Sequence, residues 1–192
     1  MRTILLGAPG SGKGTQGDVL AERFGVTHIS TGELLRNEIA LGSEIGRAVA
    51  RYVQAGELVP DDIVLELLLK RIAAAVATGG YVLDGFPRTL AQAKRAYDLA
   101  ATAGAAADAV VYLAVPDDIV RERLLARAPQ GRSDDADPEV TERRLKVFHS
   151  ETEPLLDYYK ERGVLVTVDA AGPPDEVSQL MISAIEARAG ER

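Results

Sequence analysis

Gly7-Ala8-Pro9-Gly10-Ser11-Gly12-Lys13-Gly14-Thr15 is the stretch from which the rest of the chain is read. It lies between an apolar run, Thr3–Leu6, that predicts a buried strand, and a helix-period segment, Lys13–Phe24. A phosphate-binding loop requires that strand–loop–helix context. Glycines let backbone N–H groups turn inward around an anion with no Cβ in the way. The helix start adds the positive end of its dipole. Lys13 supplies a mobile cation for the β/γ-phosphates. A glycine-rich turn without a ligand is the bland alternative, but it would not need Lys and Thr in register. One position departs from the general pattern: Gly14 follows Lys13 where Ser or Thr normally meets Mg²⁺, and Thr15 comes one later.

Working outward, short β-rich runs alternate with longer helical ones. Further strands are expected at Val26–Ile29, at Tyr81–Leu83 ending at Asp84, at Ala109–Val115 and at Val164–Val168. Helix-period segments cover 61–76, 89–103, 117–127, 138–161 and 174–189. Such alternation predicts an α/β three-layer sandwich of the P-loop type, a five-stranded parallel sheet with helices on both faces. Pro60-Asp61-Asp62, Pro116-Asp117-Asp118 and Pro174-Asp175-Glu176 place acids in first turns, where the helix dipole favours them. Two stretches fit the alternation poorly. Residues 30–60 are helical and glycine-punctuated, and 126–137 are polar with no apolar period. Both read as insertions that cover something rather than as layers of the core.

Composition bounds the rest. At 192 residues and 46% hydrophobic, the chain is long enough for one domain with a real core. A chain of this size hides roughly 70% of its unfolded surface. Six Tyr, three Phe and no Trp leave that core to aliphatic packing. The absence of Cys excludes disulfides and any Cys-based zinc site. No stretch approaches 18 uncharged apolar residues, and the N-terminal apolar run is too short for a signal peptide, so a cytoplasmic chain with no membrane contact is expected. A net charge of −7 argues against broad nucleic-acid binding and makes local arginines more informative.

Gly-x-Pro-Gly-x-Gly-Lys-Gly-Thr-Gln, at residues 7–16, resembles the loop of the nucleoside monophosphate kinases, in which Lys-Gly-Thr replaces Lys-Ser/Thr. Four further segments match that family in order. Ser30-Thr31-Gly32-Glu33-Leu34-Leu35-Arg36 is similar to its monophosphate entry, and Gly56-Glu57-Leu58-Val59-Pro60-Asp61 to the exit of that subdomain. Asp84-Gly85-Phe86-Pro87-Arg88, with Gln92 beyond, resembles the acceptor-binding strand end, and Gly131-Arg132-Ser133-Asp134-Asp135 the lid. The resemblance runs from residue 1 to about 180. Thr31, Thr89 and Gln92 favour its adenylate kinase branch over the pyrimidine kinases, and an amide suits a purine edge because it both donates and accepts.

The resemblance implies reversible transfer of a phosphoryl group from ATP to AMP, giving two ADP, with Mg²⁺ accompanying ATP. It implies a core of residues 1–29, 60–125 and 137–192, a monophosphate-binding subdomain at 30–59 and a short lid at 126–136 without structural zinc. Gly10, Ser11, Gly12, Lys13, Gly14 and Thr15 would wrap the ATP phosphates. Arg127 would hold those phosphates, Arg123 would lie against the adenine face, and Gly172 would offer backbone near it. Thr31, Glu57, Leu58, Val59, Gly85, Phe86, Pro87 and Gln92 would enclose AMP, with Arg36 and Arg88 on its phosphate. Arg132 and Arg144 would sit at the transfer point, on the AMP side. Lys13, Arg88, Arg127, Arg132 and Arg144 form the implied catalytic set, and Asp84 would orient magnesium-bound water. A monomer acting on energy homeostasis is the family expectation.

Phosphoryl transfer is mostly positioning and charge stabilisation. Arginine suits it because its planar fork meets phosphate oxygens two at a time and stays charged. An isolated helical Arg is more often a solvated surface charge, and Arg143 competes with Arg144, one residue turning the helix face by about 100°. Asp134 and Asp135 either bridge to lid arginines or are solvated. His28 and His149 carry no evident function. Three other readings share parts of the pattern: a pyrimidine monophosphate kinase, a regulatory module that binds nucleotide without catalysis, and a nucleic-acid NTPase. The last lacks both a strand ending in Asp-Glu and a separate basic face.

Overall fold

Thr3 to Leu6 carry no charge and are buried on both sides, which is what a central parallel strand demands. The computed structural model describes residues 1–127 and 137–190. In chain order the elements are β1 (Arg2–Leu6), α1 (Lys13–Phe24), β2 (Thr27–Ser30), α2 (Thr31–Leu41), α3 (Glu44–Ala55), α4 (Asp61–Ala77), β3 (Tyr81–Asp84) and α5 (Leu90–Thr102). They continue with β4 (Ala109–Ala114), α6 (Asp117–Arg127), α7 (Pro138–Val147), a π-helical turn (Phe148–Thr152), α8 (Leu155–Glu161), β5 (Leu165–Asp169) and α9 (Pro174–Gly190). The five strands form one parallel sheet in the order β2-β3-β1-β4-β5.

Strand periodicity sends alternate side chains to opposite layers. Leu5, Val82 and Val111 pack with Leu20 of α1 and with Val177, Met181 and Ile185 of α9. Ile4, Leu83 and Val110 pack on the other face with Leu68 of α4, Ala93 of α5 and Leu155 of α8. The chain leaves β1 for one edge of the sheet and returns through β4 on the other side. Ligands of open α/β sheets gather at such a reversal, beyond the carboxyl ends of the strands.

The first stretch that fits the alternation poorly is helical as expected, and the structure departs from the sequence reading further along. Residues 30–60 form α2 and α3, and their Leu35, Val49 and Val59 join the same apolar cluster as Leu68 and Leu155. The helix expected at 138–161 is broken by the π-helical turn, where the Glu153 N–H donates to the Phe148 carbonyl at 2.9 Å. The wider turn brings both Phe148 and Thr152 inward, and Pro154, lacking an N–H, cannot continue the ladder. Strand ends differ from expectation by about one residue, the usual uncertainty of an element boundary.

Candidate active site

The loop after β1 sits where that reversal lies. Gly12, at φ 95, ends the loop, and α1 starts on Lys13. Gly10 has φ +82, and a Cβ there would stand 2.9 Å from Leu124 Cγ, so the loop needs glycine to lie against α6. The Lys13 ammonium donates to the carbonyls of Gly7 at 2.7 Å and Ala8 at 2.8 Å, and to Ser11 Oγ at 3.4 Å. Burial brings the Lys13 pKa down to about 8; Asp84 opposes the fall, while Arg88, Arg144 and Arg127 reinforce it.

Two cavities adjoin each other here, and the larger opens on this loop. The larger, about 600 Å³, is within the usual size of a small-molecule site. Gly10, Gly12, Lys13, Gly14 and Thr15 line one side of it, and Asp84 and Arg127 face them. The smaller, about 70 Å³, is walled by Thr31, Glu57, Leu58, Val59 and Gln92. Gly85, Arg36, Arg88 and Arg144 line both, so the cavities meet at three guanidinium groups.

Each of those arginines is held by local structure. Arg88 Nε donates to the Gly85 carbonyl at 3.0 Å, and Thr152 Oγ1 donates to the Arg88 carbonyl at 2.8 Å. Burial lowers the Arg88 pKa, and Arg144 and Arg36 push the same way against Asp84. Arg36 lies one turn along α2 from Gly32, whose missing Cβ would be 3.2 Å from its guanidinium. Arg144 lies on α7 with its Cγ against Gly56, where a Cβ would be 2.9 Å away. The adjacent Arg143 is exposed and donates to the Ala55 carbonyl at 3.1 Å.

Two side chains of the smaller cavity carry unusual polar geometry. Thr31 is 2% exposed, and its buried Oγ1 has no hydrogen-bond partner among the described residues. Gln92 accepts from the Arg88 backbone N–H at 2.7 Å and donates to Asp61 at 2.6 Å.

Several expected residues lie elsewhere. Arg123 donates to the carbonyls of Ala170, Ala171 and Gly172 at 2.9, 2.9 and 3.1 Å, bracing that loop, and neither Arg123 nor Gly172 lines these cavities. Ser11 is buried beneath the loop, and Phe86 belongs to the apolar core beside Pro87, which does reach the larger cavity. Arg132, Asp134 and Asp135 lie outside the described residues, as does most of the expected lid. The sequence reading did not single out Asp61 as a partner of Gln92, Thr152 as a support for Arg88, or the contact from Arg143 to Ala55. These pairs are separated by 31, 64 and 88 residues, so no local spacing advertises them.

Asp84 ends β3 opposite Leu5, is 7% exposed, and accepts from Ser30 Oγ at 3.2 Å. Among the described residues no group of three or more His, Cys, Asp or Glu could hold a metal by itself. One buried carboxylate beside a phosphate loop fits a Mg²⁺ that keeps its waters and takes its other ligands from phosphates.

A family model described as "Adenylate kinase" matches residues 5–164. An adenylate kinase of Stenotrophomonas maltophilia (strain R551-3) is 46% identical over 187 residues, covering 97% of this chain and 100% of that protein. One of Nocardia farcinica (strain IFM 10152) is 44% identical over 185 residues, 96% of this chain and 99% of its own length. One of Thermobifida fusca (strain YX) is 39% identical over 189 residues, 98% of this chain and all of that protein.

Proposed function

The chain belongs to the adenylate kinase family, enzymes of nucleotide phosphoryl transfer between ATP, AMP and ADP, and on that footing we propose how its two cavities divide the substrates. ATP occupies the larger cavity with its phosphates in the Gly10–Thr15 loop. AMP places its base in the smaller one, against Thr31 and Gln92. The observation that supports this arrangement is the meeting of the two cavities at Arg36, Arg88 and Arg144. Two polyanions brought end to end repel each other, and three guanidinium groups where they meet offset that repulsion.

Lys13 exchanges the Gly7 and Ala8 carbonyls for β/γ-phosphate oxygens. Arg127 and Arg132 close on the ATP side and the transfer point, and Arg36 and Arg88 hold the AMP phosphate. A phosphate oxygen of AMP is already anionic at neutral pH, so no side chain has to remove a proton from it before it attacks the γ-phosphorus. The β–γ bridging oxygen leaves with ADP. Mg²⁺ accompanying ATP would be positioned by Asp84 through water and would neutralise charge on the β- and γ-phosphates.

Residues 30–59 and 126–136 serve as flaps on a core of 1–29, 60–125 and 137–192, closing to exclude water and so limit ATP hydrolysis. The protein works as a cytoplasmic monomer in adenine nucleotide balance. No helix among the described residues is long and apolar enough to cross a membrane.

The test is ³¹P NMR of the purified protein with ATP, Mg²⁺ and AMP, CMP, UMP or GMP in turn. ADP should accumulate with AMP alone, and ADP by itself should return ATP and AMP. Preferred transfer to a pyrimidine monophosphate would overturn the assignment of the smaller cavity.

A further inference from the structure

Gln92 is 4% exposed, lies in the first turn of α5 and faces the smaller cavity. Its amide offers two N–H donors and an oxygen with two lone pairs. Oε1 accepts from the Arg88 backbone N–H, which can only donate. Nε2 donates to Oδ1 of Asp61, a carboxylate that can only accept. Together the two partners fix which end of the amide is which. Turning it over would set donor against donor and acceptor against acceptor. One N–H and one lone pair remain for whatever enters the cavity.

We propose that Asp61 is a positioning residue that selects the acceptor's base, by locking the Gln92 amide in the sense that matches a 6-aminopurine and mismatches a 6-oxopurine. The inference rests on the reading above, in which the smaller cavity takes the base of the acceptor. Adenine presents a ring-nitrogen acceptor beside an exocyclic amine donor, which the free N–H and lone pair of the locked amide complement. Hypoxanthine has the same skeleton with the pattern reversed, a carbonyl oxygen beside a ring N–H. It would be matched only by an amide turned over, and Asp61 resists that turn.

Asp61 could instead serve simply as an acid in the first turn of α4. Asp62 already fills that role, exposed and paired with Arg95 at 3.0 Å, whereas Asp61 turns to Gln92. Gln92 could likewise be there only to cap α5, but that end is closed by Thr89 Oγ1, which accepts from the Gln92 N–H at 3.2 Å.

The experiment compares kcat/KM for AMP and for inosine monophosphate, with ATP as donor, in the wild type, Asp61→Leu, Asp61→Asn and Gln92→Leu. Asp61→Leu should lower the AMP-over-IMP ratio about tenfold, the worth of one hydrogen bond. The loss should appear in KM for AMP and leave KM for ATP unmoved. Asp61→Asn, whose Oδ1 still accepts from Nε2, should retain the ratio, a rescue that a merely structural role for the charge would not give. A ratio unchanged in Asp61→Leu but lowered in Gln92→Leu would overturn the role of Asp61 and leave the base reading intact. A ratio unchanged in both would overturn the base reading with it. Should Asp61→Leu fail to fold, Asp61→Ala carries the same measurement.

Discussion

The Arg143 guanidinium donates to the carbonyl of Ala55, the last residue of α3, across 3.1 Å. It ties α7 to the C-terminal end of a helix, where a cation is favoured by about 0.3–1 kcal/mol. The tie crosses from the segment that follows the expected lid to the segment proposed to cover AMP. Arg143→Ala should raise KM for AMP about two- to fivefold, the equivalent of that energy, with a smaller change in kcat. Arg143→Lys should recover part of it, because an ammonium can also donate to a carbonyl. Steady-state kinetics with AMP varied at saturating ATP would show this, and an unchanged KM in Arg143→Ala would dismiss the tie.

Lys13 should make ATP binding depend on protons. Its pKa is about 8 in the fold against 10.5 for an ordinary lysine. Between those values the unfolded chain holds a proton that the native one lacks, so this group makes stability rise with pH across that window. Triphosphate at the loop favours the charged ammonium. Binding near pH 8.5 should therefore take up a fraction of a proton, falling toward zero near pH 7, where Lys13 is already charged. Calorimetry in buffers of different ionisation enthalpy reads this directly, and Lys13→Met should abolish it. The same variant should lower kcat by about a hundredfold or more, as loss of a preorganised charge does.

Thr152 is 7% exposed and holds the Arg88 carbonyl. Thr152→Val keeps the shape and removes the donor. It should cost about 1 kcal/mol in urea unfolding, the usual worth of such a bond. It should also weaken AMP binding, because Arg88 lines both cavities.

His149 sits between Glu153, 2.9 Å from Nδ1, and Asp117, 3.0 Å from Nε2. Both contacts raise its pKa, Glu153 the more strongly. Only the protonated ring donates from both nitrogens. Its stabilisation is therefore full below about 6.5, the ordinary value, and is lost as pH rises through the raised one. His149→Gln should lose more thermal stability near pH 6 than near pH 8. The difference should be small, because all three side chains are more than a third exposed. Equal losses at both pH values would sink the assignment.

The loop and the five strands were legible because local spacing encodes them: glycines around one lysine, and short apolar runs closed by a glycine, an acid, a serine or a proline. The π-helical turn was not. Pro154 marks in the sequence where the helix of 138–161 must break, but the wider turn before it carries no local signal, and its Thr152 meets the Arg88 carbonyl, 64 residues away. Asp61 could be read as the start of α4 because a helix dipole acts locally. Its second task needs Gln92, which only the fold brings near. The two arginines of α7 were seen as rivals for one role, yet one turns to the cavities and its neighbour to α3, since adjacent helical residues face different ways.

The hold of the Gly7 and Ala8 carbonyls on the Lys13 ammonium has a consequence for which anions the loop accepts. Anything entering must draw the ammonium away from two partners it already satisfies. A triphosphate brings a chain of oxygens along the loop backbone and reaches the guanidinium groups beyond. An anion entering the loop would therefore have to replace the Gly7 and Ala8 carbonyls as partners of Lys13, an exchange that more phosphate oxygens would offset better.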